Sequence, residues 1–284
     1  MKKQSLFALL ALSLFTAGCS TSDKLEDGQE IVGSVELLYN KGMDEMTLGT
    51  YSAAVQTFEE LQRQHPYSGW ATRAEMMIIY AHYRKGEYDE TVASANRFMG
   101  AHPGHADLPY VYFLKGMAFY DRIQDVRRDQ RATLEAYKVF GELLSRFPES
   151  EYARNAKLKM TLCRDHLAGQ EMEVGFFYLN EQRYIAAVNR FRFVLENYET
   201  SSHTPEALYR LTEGYLSLGL RDEAQASAAI LGHNFPKSQW YIRAYELMTG
   251  EKISFDEDDI KESTWMDKLF QGKPLFGDNA QNDE

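Results

Sequence analysis

Proline is scarce in this chain, with seven in 284 residues, and most of them stand where a predicted helix ends. A half-buried strand shows apolar and polar residues in strict alternation. No run of Val and Ile keeps that alternation long enough to indicate a strand. The sequence therefore predicts an all-α protein.

Basic residues are also in deficit, because 31 Lys and Arg face 42 Asp and Glu, for a net charge of −11. Proteins that bind nucleic acid need clustered Lys and Arg to contact phosphates. The charge balance therefore argues against nucleic acid as a partner. The acidic excess is uneven, since residues 251–284 hold ten acidic and four basic side chains.

Sequence signals of catalysis are missing. The chain has no Gly-rich phosphate loop, no nucleophile elbow and no paired-His zinc motif. His102 and His105 flank a turn without a matching cluster of ligands, and Asp165 and His166 have no nucleophile nearby in the sequence. We expect neither an enzyme nor a metal or cofactor site.

A helix–turn–helix pattern recurs instead, with small or aromatic residues where two helices touch and a proline where a pair ends. The fullest copy lies at positions 42–66 and consists of Gly42, Gly49, Tyr51, Ala54, Phe58, Leu61 and Pro66. Four further copies are centred on residues 86–103, 116–148, 175–191 and 208–236. Repeats of about 34 residues with these features are tetratricopeptide (TPR) repeats. Five in series predict a TPR-like solenoid of about five helix pairs, whose concave face binds other proteins.

The spacing of apolar residues and turn signals also sets helix boundaries. The predicted helices are 35–47, 51–64, 69–84, 89–100, 110–120, 131–146, 152–167 and 239–248. The last of these is expected to cap the solenoid. We divide the repeats into an N-terminal half, residues 34–149, and a C-terminal half, residues 150–249.

Residues 121–130 interrupt the third repeat and carry charges of both signs. Two interpretations stay open. The segment could extend a helix into solvent, held by local ion pairs that each contribute little. It could equally be a loop that docks a protein, because insertions in solenoids tend to lie on one face.

The N-terminus predicts a signal peptide. Lys2 and Lys3 precede an apolar run at 6–15. This run is too short to span a bilayer, which requires a helix of about 20 residues. The residues from Thr16 to Cys19 resemble a bacterial lipobox, although Thr16 stands where Leu is preferred. The resemblance implies that residues 1–18 are removed and that Cys19 carries fatty acyl chains such as palmitate. An ordinary signal peptide with a chance cysteine is the alternative.

The residue after the cysteine, Ser20, implies sorting to the outer membrane by similarity to Gram-negative lipoproteins. Residues 19–33 would then be the acylated cysteine and a polar tether. Cys163 is the other cysteine of the chain, so acylation of Cys19 leaves no intramolecular disulfide. We expect Cys163 to be a buried structural thiol.

Residues 250–284 form an acidic tail with Gly and Pro at intervals. Its composition predicts disorder. Its scattered apolar residues also fit a short motif that folds on a partner or back on the solenoid; these are Trp265, Met266, Leu269, Phe270, Leu275 and Phe276.

The TPR register places certain side chains of each first helix on the concave face. Aromatic residues, Met and two arginines dominate this predicted groove, which comprises Tyr39, Met43, Met46, Arg73, Met76, Tyr80, Tyr83, Arg84, Tyr110, Phe113, Met117 and Tyr120. Such residues are enriched at the centres of interfaces. We predict a groove for peptides that bear aromatic residues, with Arg73 or Arg84 holding a carboxylate. The alternative is that these residues only pack the repeats together.

Particular stretches go beyond a generic TPR signature: IIYAHY at 78–83, ANRF at 95–98, YVYFLKG at 110–116 and AVNR at 187–190. With the lipobox they resemble the BamD family, the TPR lipoproteins of the outer-membrane β-barrel assembly (BAM) complex. The resemblance covers about residues 35–240 and not the acidic tail.

The resemblance implies a non-catalytic scaffold at the periplasmic face of the outer membrane. Its N-terminal repeats would bind the C-terminal signals of unfolded β-barrel proteins and promote their folding and insertion. Its C-terminal repeats would dock BamA through a periplasmic POTRA domain, with Arg190 matching the family's docking arginine and Arg192 assisting. Other BAM lipoproteins are further expected partners. The alternative function is a periplasmic TPR adaptor that recruits cell-wall or envelope-division proteins.

Overall fold

The computed structural model describes residues 34–251, and all regular structure in that range is helical. The helices are α1 Val35–Thr47, α2 Tyr51–Gln64, α3 Gly69–Lys85, α4 Tyr88–Ala101, α5 Leu108–Tyr120, α6 Arg131–Arg146, α7 Ala153–Asn180, α8 Tyr184–Asn197, α9 Thr204–Ser217, α10 Arg221–Asn234 and α11 Gln239–Thr249. The predictions for the signal peptide, Cys19, the tether and the acidic tail fall outside the described residues.

Successive helices pack as pairs, α1 with α2 through α9 with α10, and each second helix also contacts the next first helix. This is the arrangement of a TPR-like solenoid, so the predicted all-α repeat fold is confirmed. The boundaries of α1 and α2 match the prediction, because local signals fix them. Ser34 caps α1 by accepting a hydrogen bond from the Leu37 amide, and Gly49 turns the chain with φ of 74°.

A phenylalanine from the second helix seats against a glycine of the first helix in three pairs. A Cβ added to Gly42 would lie 2.5 Å from Phe58, and one added to Gly116 would lie 2.4 Å from Phe140. Gly175 and Phe191 repeat the contact at 2.4 Å. All three rings are fully buried, and each contributes about 2–3 kcal/mol by leaving water. The glycine and phenylalanine of the repeat pattern therefore mark the place where the two helices of a pair approach most closely.

The prediction for the fourth repeat was wrong in one respect. A helix at 152–167 was expected to precede the repeat's own first helix, but α7 is continuous over 28 residues. No proline or turn sequence separates 167 from 175, so nothing ends the helix there. Gly169 is accommodated within it because His203 and Val126 pack against its bare backbone. Helix α7 contributes to core clusters on both sides, which joins the two halves of the solenoid.

The idea that residues 121–130 extend a helix is also wrong. Helix α5 ends at Tyr120, and the segment runs as turns and bends until α6. Gln130 is buried, and its side-chain amide donates hydrogen bonds to the carbonyls of Asp125, Val126 and Arg128. These bonds fold the segment around one buried side chain, which is incompatible with a helical backbone.

In the described range, no helix is both long enough and apolar enough to cross a bilayer. Cys163 is buried within α7, as predicted, and burial raises the pKa of its thiol to about 12. A thiol held protonated at neutral pH is unreactive.

Candidate functional site

The first helices line the inner face of the solenoid. Helix α3 contacts α1, α5 contacts α3, and α7 contacts α5, in addition to the contacts within pairs. Successive second helices have no comparable contact within residues 34–251. Because elements on the inside of a curve lie closer together, α1, α3 and α5 form the concave side of the solenoid.

Tyr39 and Arg73 meet at one end of this groove through a residue that the sequence reasoning missed. The ring centroids of Tyr39 and Trp70 are 4.8 Å apart, and the Arg73 guanidinium lies 5.0 Å from the Trp70 ring. Burial raises the pKa of Tyr39, although the positive charge of Arg73 opposes the shift. The cluster offers an apolar platform with an exposed cation at its edge.

Arg84 lies near the other end of the same helix, α3, between two tyrosines. Its guanidinium lies 5.3 Å from the Tyr51 ring and 5.6 Å from the Tyr80 ring. It also donates a hydrogen bond of 2.8 Å to the Tyr80 hydroxyl. Contacts with two aromatic rings and one hydroxyl hold the guanidinium in place while leaving it exposed. A cation fixed in this way is suited to bind a carboxylate.

Tyr83 connects the groove to the 121–130 segment. Its hydroxyl donates a 2.7 Å hydrogen bond to the carboxylate of Asp121. Burial and the neighbouring Asp121 charge both raise the pKa of Tyr83. In the same segment Arg122 pairs with Asp89 of α4 at 2.7 Å, and Arg127 pairs with Glu173 of α7 at 3.0 Å. The segment is therefore tied to three neighbouring elements.

Aromatic residues of α5, the first helix of the third pair, contact a tyrosine that immediately precedes α7. Tyr152, immediately before α7, lies 5.3 Å from Tyr110 and 5.5 Å from Phe113 between ring centroids. Burial raises the pKa of Tyr110, and the nearby Tyr80 and Tyr152 hydroxyls add to the shift. Tyr80 and Tyr83 of α3 and Tyr110 of α5 pack against the same core cluster. Aromatic side chains of this kind thus occur in each of the first three helix pairs.

The methionines predicted for the groove differ in how deeply they are buried. Met46 is only 8% exposed and packs in the core of the first pair, so its assignment to the groove was wrong. It lies one turn beyond Met43, where the α1 face turns toward α2. Met43, Met76 and Met117 are half-buried and also contact core clusters. Tyr120 packs on Phe140 and carries the Lys159 ammonium 4.0 Å above its ring.

Three aromatic residues that contact members of the predicted groove were not themselves predicted: Tyr51, Trp70 and Tyr152. Tyr51 begins a second helix, Trp70 begins α3, and Tyr152 precedes α7. The predicted set took its members from within the first helices, whereas Tyr51 belongs to a second helix and Tyr152 to a connection. A search for aromatic residues at helix starts would have found all three.

The predicted docking arginines lie on α8, away from the aromatic groove. Arg190 pairs with Glu171 of α7 at 3.0 Å and its side chain is 44% exposed. Arg192 pairs with Glu196 on its own helix at 3.3 Å. Arg190 borders a hollow of about 340 Å³ with Tyr178 and the exposed ring of Phe193.

A second hollow of about 460 Å³ adjoins the first and shares Ala186 and Asn189 with it. Its rim includes Ile185, whose side chain is largely exposed, and Gln182. Gln182 has φ of 57°, whereas glycine occupies the matching position in the α1–α2 and α9–α10 turns. A left-handed conformation costs a residue with a side chain about 1–2 kcal/mol. Strain retained beside an exposed apolar surface is typical of a functional region.

His102 and His105 each lie close to one carboxylate. His102 pairs with Glu75 at 2.9 Å and His105 approaches Asp107 at 3.6 Å. Across residues 34–251, no group of three or more His, Cys, Asp or Glu side chains is arranged to hold a metal ion.

Comparison of the sequence with known proteins identifies related proteins. The profile of YfiO, described as an outer membrane lipoprotein, matches residues 33–231. The outer membrane protein assembly factor BamD of Caulobacter vibrioides is 42% identical over 85% of this chain and 79% of its own length. BamD of Rickettsia prowazekii is 40% identical over 86% of this chain and 96% of its own length.

A solved TPR protein from Thermus thermophilus aligns with 75% of this chain and 98% of its own, at 19% identity and a TM-score of 0.34. The sequence matches cover all of the repeats that form the groove and most of the region around α8. The chain belongs to the BamD family of outer membrane lipoproteins.

Proposed function

We propose that this chain is a non-catalytic assembly factor for outer-membrane β-barrel proteins, anchored through Cys19 at the periplasmic face of the outer membrane. Its relatives are named outer membrane protein assembly factors, and its family is described as outer membrane lipoproteins. A TPR-like solenoid presents surfaces for other proteins and needs no catalytic residues for that role.

The aromatic groove on α1, α3 and α5 receives the C-terminal signal of an unfolded β-barrel protein. The observation that carries this proposal is the row of rings with exposed cations at Arg73 and Arg84. An aromatic side chain of the signal would stack on Tyr80, Tyr110 or Tyr152. A terminal carboxylate would then lie within reach of the guanidinium that Tyr51 and Tyr80 hold in place.

The α8 surface docks BamA through a periplasmic POTRA domain. Arg190 supplies a charge, and the exposed side chains of Ile185 and Phe193 supply apolar contact beside it. The internal partner of Arg190 is Glu171, so docking requires a carboxylate from BamA to share or replace that ion pair. Arg192 contributes a second positive charge on the same helix. Because the groove and the α8 surface involve different helices, one molecule can bind BamA and a substrate together.

Affinity purification of the intact lipoprotein from envelope membranes tests this proposal. We expect BamA and other BAM lipoproteins to copurify with the wild-type chain, and BamA to be lost with Arg190→Glu. Lys138→Glu is the control for charge reversal, because Lys138 is an exposed, ion-paired cation on α6, outside the α8 surface. Recovery of cell-wall enzymes without BamA would contradict the proposal and support an envelope adaptor.

A further inference from the structure

Helix α11 occupies the position of a first helix in a sixth pair. It contacts both α9 and α10, as α3 contacts both helices of the first pair. Every earlier first helix is followed by a second helix that packs on it, and the described residues end at Glu251, two positions after α11. The helix ends at Gly250, whose φ of 76° turns the chain out of the helical path.

The face of α11 that a second helix would cover is partly apolar and positively charged. Tyr241, Ala244 and Met248 are buried toward α9 and α10. Leu247, by contrast, is 43% exposed. Arg243 is exposed, lies 4.9 Å from the Trp240 ring and has no carboxylate partner among the described residues.

The sequence that follows α11 contains residues suited to this face. Trp265, Met266, Leu269 and Phe270 recur at spacings of one, four and five, which places them on one side of a helix. Ser263 and Thr264 precede this group as helix-capping residues, and Gly272 and Pro274 follow it as helix-ending residues. The pattern is that of a short amphipathic second helix.

The charge of the intervening sequence matches the uncovered cation. Residues 256–259 are four consecutive acidic residues between α11 and the apolar group. Because Arg243 lacks a carboxylate partner in the described range, this acidic run is complementary to the face of α11.

We propose that residues 264–271 pack on the exposed face of α11 as the missing second helix of a sixth pair, with the acidic run 256–259 against Arg243. The connection, residues 250–263, is long enough for the chain to return along α11. An extended residue spans roughly 3.3 Å, whereas the 11 residues of α11 extend about 16 Å. A partner tethered by so short a connection is present at an effective concentration in the millimolar range.

Site-specific photo-cross-linking in the full chain tests this packing. p-Benzoylphenylalanine replaces Leu247 on α11 or, as the matched control, Ile230 on α10, which is 49% exposed. After irradiation, digestion and mass spectrometry locate the cross-linked residues. We expect position 247 to cross-link to residues 260–276 of the same chain at least tenfold more efficiently than position 230. Cross-links to another copy or to another protein, or equal yields from the two positions, would overturn the proposal.

Hydrogen exchange supplies an independent readout that does not depend on the probe. Trp265→Asp in the full chain should speed amide exchange in residues 239–249 by about tenfold, because it removes the apolar contact that covers α11. Exchange in α1 and α2 should not change. Unaltered exchange in α11, or persistence of the cross-link from position 247 in this variant, would also overturn the proposal.

Discussion

Tyr152 stacks against Tyr110 with ring centroids 5.3 Å apart and an interplanar angle of 41°. The contact joins the chain segment before α7 to the inner face of α5. The proposed groove therefore includes an aromatic residue outside the three helices from which it was predicted.

The Tyr152→Ala variant should bind a peptide with an aromatic C-terminus about threefold to tenfold more weakly than the wild type, because an aromatic pair contributes about 0.5–1.5 kcal/mol beyond the area it buries. Fluorescence anisotropy with a labelled peptide measures this change. Tyr67→Ala is the matched control, since the Tyr67 side chain is fully exposed. Equal losses in both variants would show that Tyr152 has no particular role in the groove.

The Arg84→Ala variant should bind the same peptide roughly threefold to tenfold more weakly, since the Arg84 guanidinium lies between two rings in the proposed groove. The loss should disappear when the terminal carboxylate of the peptide is amidated, because that change removes the group which Arg84 contacts. Arg97→Ala on α4 is the control; Arg97 is exposed and bonds Ser94 on its own helix. An Arg84→Ala variant that loses as much affinity for the amidated peptide would contradict the assignment of a carboxylate.

Gly116→Ala should lower the free energy of unfolding by about 1–3 kcal/mol, because the new methyl group would overlap the buried Phe140 ring. Urea denaturation followed by circular dichroism provides the value. Gly141→Ala on α6 meets nothing within 4 Å and should instead stabilise the protein by up to about 1 kcal/mol through helix propensity. The opposite signs separate the packing contact from the backbone effect, and destabilisation by both changes would contradict this account.

Gln182→Gly should raise the free energy of unfolding by about 0.5–1 kcal/mol, because glycine adopts positive φ without the cost that a side chain incurs. The reverse change at the matching turn, Gly219→Gln, should destabilise the protein by about 1 kcal/mol. Thermal unfolding compares both variants with the wild type. If the α8 surface docks BamA, Gln182→Gly should also weaken BamA binding despite its greater stability. If Gln182→Gly is more stable and still binds BamA normally, the backbone strain at Gln182 has no role in docking.

Local signals explain which parts of the fold the sequence predicted well. Ser34, Gly49 and Pro66 mark the limits of α1 and α2, and both helices begin and end where predicted. The predicted end of a helix at Leu167 was wrong because no proline or turn signal follows it, and Gly169 is accommodated within α7. The helical extension considered for residues 121–130 was wrong because the conformation of this segment depends on the buried side chain of Gln130. The spacing of charges in the sequence does not reveal that burial.

The groove was predicted less completely than the fold. Periodicity grouped candidate residues on one face of each first helix, but it could not distinguish a core residue such as Met46 from its half-buried neighbour Met43. The distinction depends on how closely α1 and α2 approach. Trp70 and Tyr152 were missed because helix starts carry little periodic information, and their contacts join different elements.

The most direct test of the central claim is to deplete this protein from the cells that make it and to measure folded β-barrel proteins in the outer membrane. Heat-modifiable mobility in gels separates folded barrels from unfolded ones. The account predicts that folded barrels fall while unfolded ones accumulate, and that the wild-type gene restores them but a gene encoding Arg190→Glu does not. Unchanged levels of folded barrels, with a defect confined to the cell wall, would contradict the account.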